Sequence, residues 1–171
     1  MLYPVSVTLA IIDKTRGPSP EDQEGALAGM VSFIDTSVEN LSTEIGGIII
    51  VPEFQGSHLA TNAVGLMLRF ALERSSRGGF GLRRVQWLTS SKNEASLKLA
   101  GRLGFVKEGV MRWHMVMKQV EGGYRVGKDG RVPEGSDEKD LGRDTVVLSV
   151  CWDDWEEGVG EKVAEAMARL S

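Results

Sequence analysis

Between an apolar run that ends in Pro52 and a segment with helical spacing, the chain reads EFQGSHLATNAV from Glu53 onward. A strand passing through a Gln-Gly-Ser loop into a helix makes an anion site, because the first helical N–H groups lack intrahelical partners and lie along a favourable dipole. QGSHLA, residues Gln55, Gly56, Ser57, His58, Leu59 and Ala60, can therefore cradle a phosphate. It lacks the Gly-Lys-Ser/Thr ending of a P-loop and the three spaced glycines of a dinucleotide fingerprint, and taken alone it also reads as a plain strand-to-helix turn. Just upstream, Gly46 and Gly47 interrupt the otherwise β-branched and apolar run TEIGGIIIVP. Glycine inside a strand marks a bulge, or a place where another molecule approaches the backbone. No metal is expected, since His58 and His114 lie far apart without the close spacing of a zinc site. His114, between Trp113 and Met115, reads as packed or half-exposed rather than catalytic. The single cysteine, Cys151, cannot close an intrachain disulfide, and with no basic neighbour to activate its thiol it reads as a small core residue.

The elements that must hold these residues follow from periodicity. YPVSVTLAII and GALAGMVSFIDT alternate as two strands across the Gly/Pro/acid loop KTRGPSPEDQE, an antiparallel hairpin. TEIGGIIIVP is apolar on both faces and belongs centrally in a sheet covered on both sides. SHLATNAVGLMLRFALERSSRGG places Ala60, Val64, Met67 or Leu68, and Ala71 on one helical face and stops at Gly78 and Gly79. RRVQWLTSS is the next strand, and NEASLKLAGRLGF a helix capped after its last turn by Gly104. GVMRWHMVMKQV and DTVVLSVCW are two late strands joined by a long, Gly-rich and charged loop of expected mobility; Asp153 and Glu156 form a capping box for a last helix carrying Trp155, Val159 and Val163.

With 171 residues and 42% hydrophobic content, the chain has the size and composition of one globular domain spanning 1–171, able to bury a core without staples. A net charge of −4 argues against a nucleic-acid or anionic-membrane binder, which needs a basic face. No secretory h-region or membrane-length apolar run is present, so the expected setting is soluble and cytoplasmic. Arg83, Arg84, Lys98 and Arg102 can supply local positive charge inside this acidic protein.

After the strand RRVQWLTS, the stretch NEASLKLAGRLGFVKEGVMR resembles the late motif of the GNAT N-acetyltransferase superfamily. The resemblance is to the branch of ribosomal-protein N-terminal (RimJ/RimL-type) acetyltransferases, in which Asn-x-x-Ser, a Leu-Gly-Phe end and a following Glu-Gly recur. QGSHLA is similar to that family's pyrophosphate loop at Gln55 and Ala60, with Gly56 and Thr61 also as in this branch. It departs at His58, where the family usually has Gly, and at Asn62, where Glu is common. The resemblance runs from Gly25 to Trp155. It implies an α/β fold with a mixed, largely antiparallel central sheet and helices on both faces. Met1 falls just ahead of what corresponds to the second strand, so the family's first strand and helices, which line the acceptor side, are expected to be missing.

The activity this resemblance implies is transfer of acetyl from acetyl-CoA to an amine acceptor, a protein N-terminus or a small-molecule amine, by direct attack in a ternary complex, with the chain a monomer or homodimer. The pantetheine arm would pair with the backbone of Ile48, Ile49 and Ile50 as an added strand, and an N–H near Ile48 would receive the oxyanion. The pyrophosphate would rest on Gln55 through Ala60. Glu44 corresponds to the glutamate some members use as base, and Ser96, beside Asn93, to a serine general acid. The plainer readings are a solvated glutamate at a strand start and a helix serine bonded to its own backbone. The alternative function is a catalytically degenerate domain of this fold that binds CoA or a partner protein; Glu44, Asn93 and Ser96 favour the enzyme, while His58 and the short N-terminus favour the alternative.

Overall fold

The computed structural model describes residues 5–18, 20, 23–118 and 131–169. Six strands form one sheet in the order β1-β2-β3-β4-β6-β5. β1 (Val5–Asp13), β2 (Ala26–Ser37) and β3 (Ser42–Ile50) make an antiparallel meander; β4 (Arg84–Ser90) then runs parallel to β3, and β6 (Leu141–Cys151) lies antiparallel between β4 and β5 (Val106–Met117). The parallel β3/β4 step requires a crossover, which α1 (Leu59–Leu72) supplies, and α2 (Glu94–Arg102) links β4 to β5. The sheet is thus mixed and largely antiparallel, as expected.

Alternation along the strands sorts the sheet into two unlike faces. Val31, Phe33, Ile45, Val85, Trp87, Leu148 and Val150 join Val64 and Leu68 of α1, Ala100 of α2 and Val163 of α3 (Gly160–Ala168) in one buried cluster. On the opposite face Met30 and Ile49, directly paired across β2 and β3, remain 38% and 56% exposed. The described helices therefore cover one face, where the resemblance implied helices on both; among the described residues the second face is open at Met30 and Ile49, while Ser32, Glu44, Thr145 and Ser149 on it are buried. No helix among the described residues is long and apolar enough to cross a membrane.

Several boundaries differ from expectation, among them the start of β5, at Val106 instead of Gly109. α1 ends at Leu72 instead of running to Gly78, because the chain turns through Ser75–Arg77 and returns along the helix end, where the N–H groups of Phe80 and Leu82 donate to the carbonyls of Phe70 and Ala71. Those carbonyls are the ones a continuing helix would have used. The last helical segment begins with a turn at Trp152–Asp154, capped two residues earlier than the Asp153/Glu156 box: the Asp154 carboxylate accepts the Cys151 N–H at 2.9 Å. Cys151 is half-buried at that corner, and not in the core. β6 starts at Leu141, three residues ahead of the expected strand; residues 119–130 of the loop before it lie outside the described residues.

Candidate active site

The β3/β4 pairing is short. Only Ser42, Thr43 and Glu44 of β3 face Arg84, Val85 and Gln86 of β4; beyond Glu44 the two strands separate, β3 staying with β2 to Ile50 and β4 with β6 to Ser90. The fork opens a cleft of about 1160 Å³ whose walls include Gly46, Gly47 and Ile48 on one side, Trp87 and Thr89 on the other, and the facing ends of α1 and α2. Strands that diverge within a sheet leave backbone N–H and C=O groups without a ladder partner, which an extended ligand can use.

At the mouth of the fork β3 is bulged. Ser32 pairs with Gly46 and Met30 with Ile49, so Gly47 and Ile48 together oppose the single residue Val31. Gly47 has φ +60°, the left-handed region that glycine enters without steric cost, and a Cβ there would come within 3.2 Å of Ser32 Oγ. Gly46 is crowded rather than strained: a Cβ there would meet the movable tip of Ile34 at 2.7 Å and the Glu44 carboxylate at 3.1 Å. Both glycines thus mark the bulge that the sequence leads one to expect, and it turns the Ile48 segment toward the cleft. Ile48 and Ile50 line the cleft, whereas Ile49 points to the opposite, open face.

Glu44 is not a solvated residue at a strand start. It is 6% exposed, and burial first, then the nearby Asp35 carboxylate, pushes its carboxyl from the ordinary 4.5 up to about 7, with Arg143 pulling the other way. A carboxyl poised there can take a proton near neutral pH.

The loop from β3 to α1 is built from its own side chains. Gln55 Nε2 donates to the Ile50 carbonyl at 3.0 Å, tying the loop to the end of β3, and Ser57 Oγ–H donates to the Phe54 carbonyl at 2.6 Å. Gly56 has φ +75° with open space around its Cα. The first helical amide with a backbone partner is that of Asn62, which donates to the His58 carbonyl at 2.9 Å. Gly56, Ser57, Ala60 and Thr61 line the cleft. His58 and Leu59 do not: they line a separate groove between α1 and β1, near Asp13, so the imidazole stands away from the cleft. Leu59 is a core residue.

Across the cleft, Asn93 caps α2 by accepting the Ser96 N–H on Oδ1 at 3.1 Å. The Ser96 hydroxyl is not bonded to its own helix. Its oxygen accepts the indole N–H of Trp87 at 2.9 Å, which leaves the Ser96 O–H free to donate. Trp87 itself is locked edge-on against Phe105, with ring centroids 5.2 Å apart. Arg102 of α2 donates to Thr61 Oγ1 of α1 at 3.1 Å and ties the two cleft-forming helices together. Ser96 lines the cleft from α2, whereas Glu44 sits buried at the last β3/β4 pair beside Gly46 and is not among the residues lining the cleft; the loop Gln55 to Ala60 stands at the N-terminus of α1.

Two site residues escape a reading of the sequence. Trp87 looks like one more apolar position in a strand, and only the crossover of α2 shows that its N–H meets Ser96. Arg143 falls before the expected start of the last strand, and the β5/β6 register is needed to place it in the cleft. Among the described residues, Cys151, Asp153 and Asp154 form the one group close enough to suggest a metal; the helix cap just described already explains the Asp154 contact with the Cys151 backbone.

The acetyltransferase (GNAT) domain model matches residues 6–106. YdaF of Bacillus subtilis (strain 168), assigned provisionally to the ribosomal N-acetyltransferases, is 33% identical over 89 residues, which is 52% of this chain and 45% of that protein. Among solved structures, a GCN5-related N-acetyltransferase from Brucella melitensis superposes with a TM-score of 0.69 at 26% identity, covering 95% of this chain and 58% of that one. The spermidine N-acetyltransferase SpeG chimera from Vibrio cholerae and hSSAT superposes with a TM-score of 0.62 over 89% of this chain and 72% of that one; at 17% identity it speaks to the fold alone. The chain spans about half the length of the curated relative it matches. A family model covering more than half the chain, over β1 to β4, the bulge and the two helices beside the cleft, establishes that this protein belongs to the GNAT acetyltransferase family.

Proposed function

We propose that the chain is an N-acetyltransferase that moves acetyl from acetyl-CoA to a primary amine by direct attack in a ternary complex. The observation that carries this reading is the fork itself: two parallel strands separate beside a left-handed Gly47 bulge, with Glu44 buried at the fork and Ser96 on the helix across the cleft. The residues present fit the coenzyme. Apart from Leu59, whose N–H donates to Ser57 Oγ at 3.4 Å, the amides of Gly56 through Thr61 precede the first helical amide with a backbone partner and suit a pyrophosphate, the backbone of Ile48 beside the bulge suits the amides of an extended arm, and Lys92, Lys98 and Arg102 around the cleft offset its charge. The ring of His58, where the family usually has Gly, stands outside the cleft and does not obstruct it.

In this reading the backbone N–H at Ile48 donates to the thioester oxygen as negative charge develops there. Glu44 takes the proton from the attacking nitrogen, directly or through one water. The new C–N bond forms as the C–S bond breaks, and the departing thiolate receives the Ser96 hydroxyl proton, which Ser96 regains from solvent. An amine that titrates at about 8 to 10 needs such a base at neutral pH. Trp87 is a positioning residue: by occupying a lone pair on Ser96 Oγ it directs the hydroxyl proton away from the indole.

The test joins binding to turnover. Acetyl-CoA at a hundred times its Kd should stabilise the protein by about 2.7 kcal/mol, read as a rise in Tm that ATP does not match. Thiol release with peptides bearing free N-termini, lysine peptides and small amines should then show transfer, and Ser96→Ala should lower kcat by about 10²–10⁴-fold with acetyl-CoA affinity held within a few-fold. The absence of both stabilisation and transfer would overturn the reading; stabilisation without transfer to any amine would support a domain that only binds the coenzyme.

A further inference from the structure

Between Met111 and Met115 the edge strand β5 carries three residues against the single Asp144 of β6. The excess is taken up by Trp113, which sits at φ +53°, a conformation that a bulky residue enters only when its surroundings hold it there. Those surroundings are specific. The Trp113 N–H donates to Asp144 Oδ1 at 2.8 Å, and its indole lies over Gly142 so closely that any Cβ there would collide with the ring. The next residue, His114, shares a hydrogen bond through Nδ1 with Thr145 Oγ1 at 3.0 Å, and Thr145 is wholly buried. The Asp144 carbonyl also accepts the Ser91 N–H at 2.9 Å.

Gly142, Asp144 and Thr145 are therefore all held, and the side chain in this stretch that makes no hydrogen bond or ion pair with any described residue is that of Arg143, whose backbone pairs with Met115. Its Nε is buried without a partner, and its side chain lines the cleft. Strand pairing shows from which face it comes. Glu44 pairs with Gln86, Gln86 with Ser149 and Ser90 with Thr145, so by alternation Arg143 projects from the same face as Glu44, opposite to Trp87, Leu148 and the helices. A guanidinium whose charge acts on Glu44 but which keeps a buried donor without a hydrogen bond still has donors to offer in the cleft it lines. Such a group presents a planar fork of donors that matches a carboxylate.

We propose that Arg143 is a specificity residue on the acceptor side of the cleft, receiving a carboxylate carried by the acceptor itself, so that the substrates are amines with a carboxylate close to the reactive nitrogen: free amino acids, or peptide N-termini with an acidic residue at the start. This rests on the acetyltransferase reading above. A polyamine brings only further positive charge to Arg143 and is disfavoured by the same geometry. The bulge at Trp113 then has a purpose, since it fixes the stretch of β6 from which Arg143 extends.

The experiment uses the full chain and matched acceptors that differ only in charge: glycine against glycinamide, and the dipeptide amides Ala-Glu and Ala-Gln, with spermidine as a third class. The acidic member of at least one pair should have a kcat/KM higher by about tenfold or more, the scale of a charge-assisted bidentate contact. Arg143→Gln should abolish that preference through KM for the acceptor, leave KM for acetyl-CoA unchanged, and be partly rescued by Arg143→Lys. Equal rates within every pair, a preference for spermidine, or a loss of acetyl-CoA affinity in Arg143→Gln would each overturn the assignment, the last because it would give the arginine to the coenzyme. If no amine is acetylated, the acetyltransferase reading fails separately, and Arg143 is judged by calorimetry in the presence of CoA. N-acetylglycine should then bind to the unmodified chain at least about tenfold more tightly than N-acetylglycinamide, and Arg143→Gln should erase the difference; no difference in the unmodified chain refutes the proposal.

Discussion

Replacing Glu44 with Gln removes a titratable carboxyl and keeps its shape, and the structure specifies how stability should respond to pH. The Glu44 carboxyl is 6% exposed and its folded-state pKa is raised from 4.5 to about 7 by burial and by Asp35. An acid with a raised folded pKa is favoured protonated in the native state. The stability this preserves is therefore present in full below the unfolded value, and it is lost as pH climbs from 4.5 through 7. At 1.36 kcal/mol per pKa unit the full loss is on the order of 3 kcal/mol, most of which, about 2.5 kcal/mol, falls between pH 5 and pH 8.5. The substituted glutamine cannot ionise and should escape it. Urea denaturation of both proteins at the two pH values should thus show Glu44→Gln gaining about 2.5 kcal/mol relative to the parent at pH 8.5 compared with pH 5, equivalent to roughly 5–10 °C in Tm for a chain of this size. The same substitution should lower turnover about 10²–10⁴-fold if Glu44 is the base, a stability gain joined to an activity loss. A stability difference between the two proteins that does not change with pH would show that the carboxyl is ionised throughout, and the argument from burial would be wrong.

Trp87→Phe should keep the edge contact with Phe105 but remove the indole N–H from Ser96 Oγ, costing about 0.5–1.5 kcal/mol by denaturation and lowering kcat without moving acetyl-CoA affinity; an unchanged kcat would mean the hydrogen bond orients nothing. Gly47→Ala places a Cβ at φ +60° beside Ser32 Oγ and should cost about 1–2 kcal/mol while weakening coenzyme binding in a thermal-shift titration. His58→Gly should leave acetyl-CoA affinity within a few-fold, since the ring faces the groove against β1, and a tenfold fall in calorimetry would give the imidazole a role at the phosphates. Gly142→Ala should displace Trp113 and destabilise by about 1–3 kcal/mol, the scale of an overpacked contact, measured against the silent control Gly17→Ala in open space.

The sequence by itself determined what depends on neighbours along the chain. Period-2 runs placed the strands, the 3.6-residue spacing of Val64, Leu68 and Ala71 placed α1, and the run from Asn93 closed by Gly104 placed α2, whose Asn93 cap the structure then showed. Gly46 and Gly47 announced the bulge, because a left-handed residue in an apolar strand leaves a local mark. What only the tertiary structure decided depends on residues far apart in the chain. Glu44 looks like a surface glutamate until β2 and β4 close on it, and burial, not any local motif, raises its pKa. The cleft exists because β3 and β4 stop pairing after Glu44, and the sequence of either strand alone carries no sign of where its partner departs. Arg143 sits in a stretch that reads as loop, since the excess residues of the β5 bulge are counted only against β6; register is a relation between two strands, and so neither one encodes it alone.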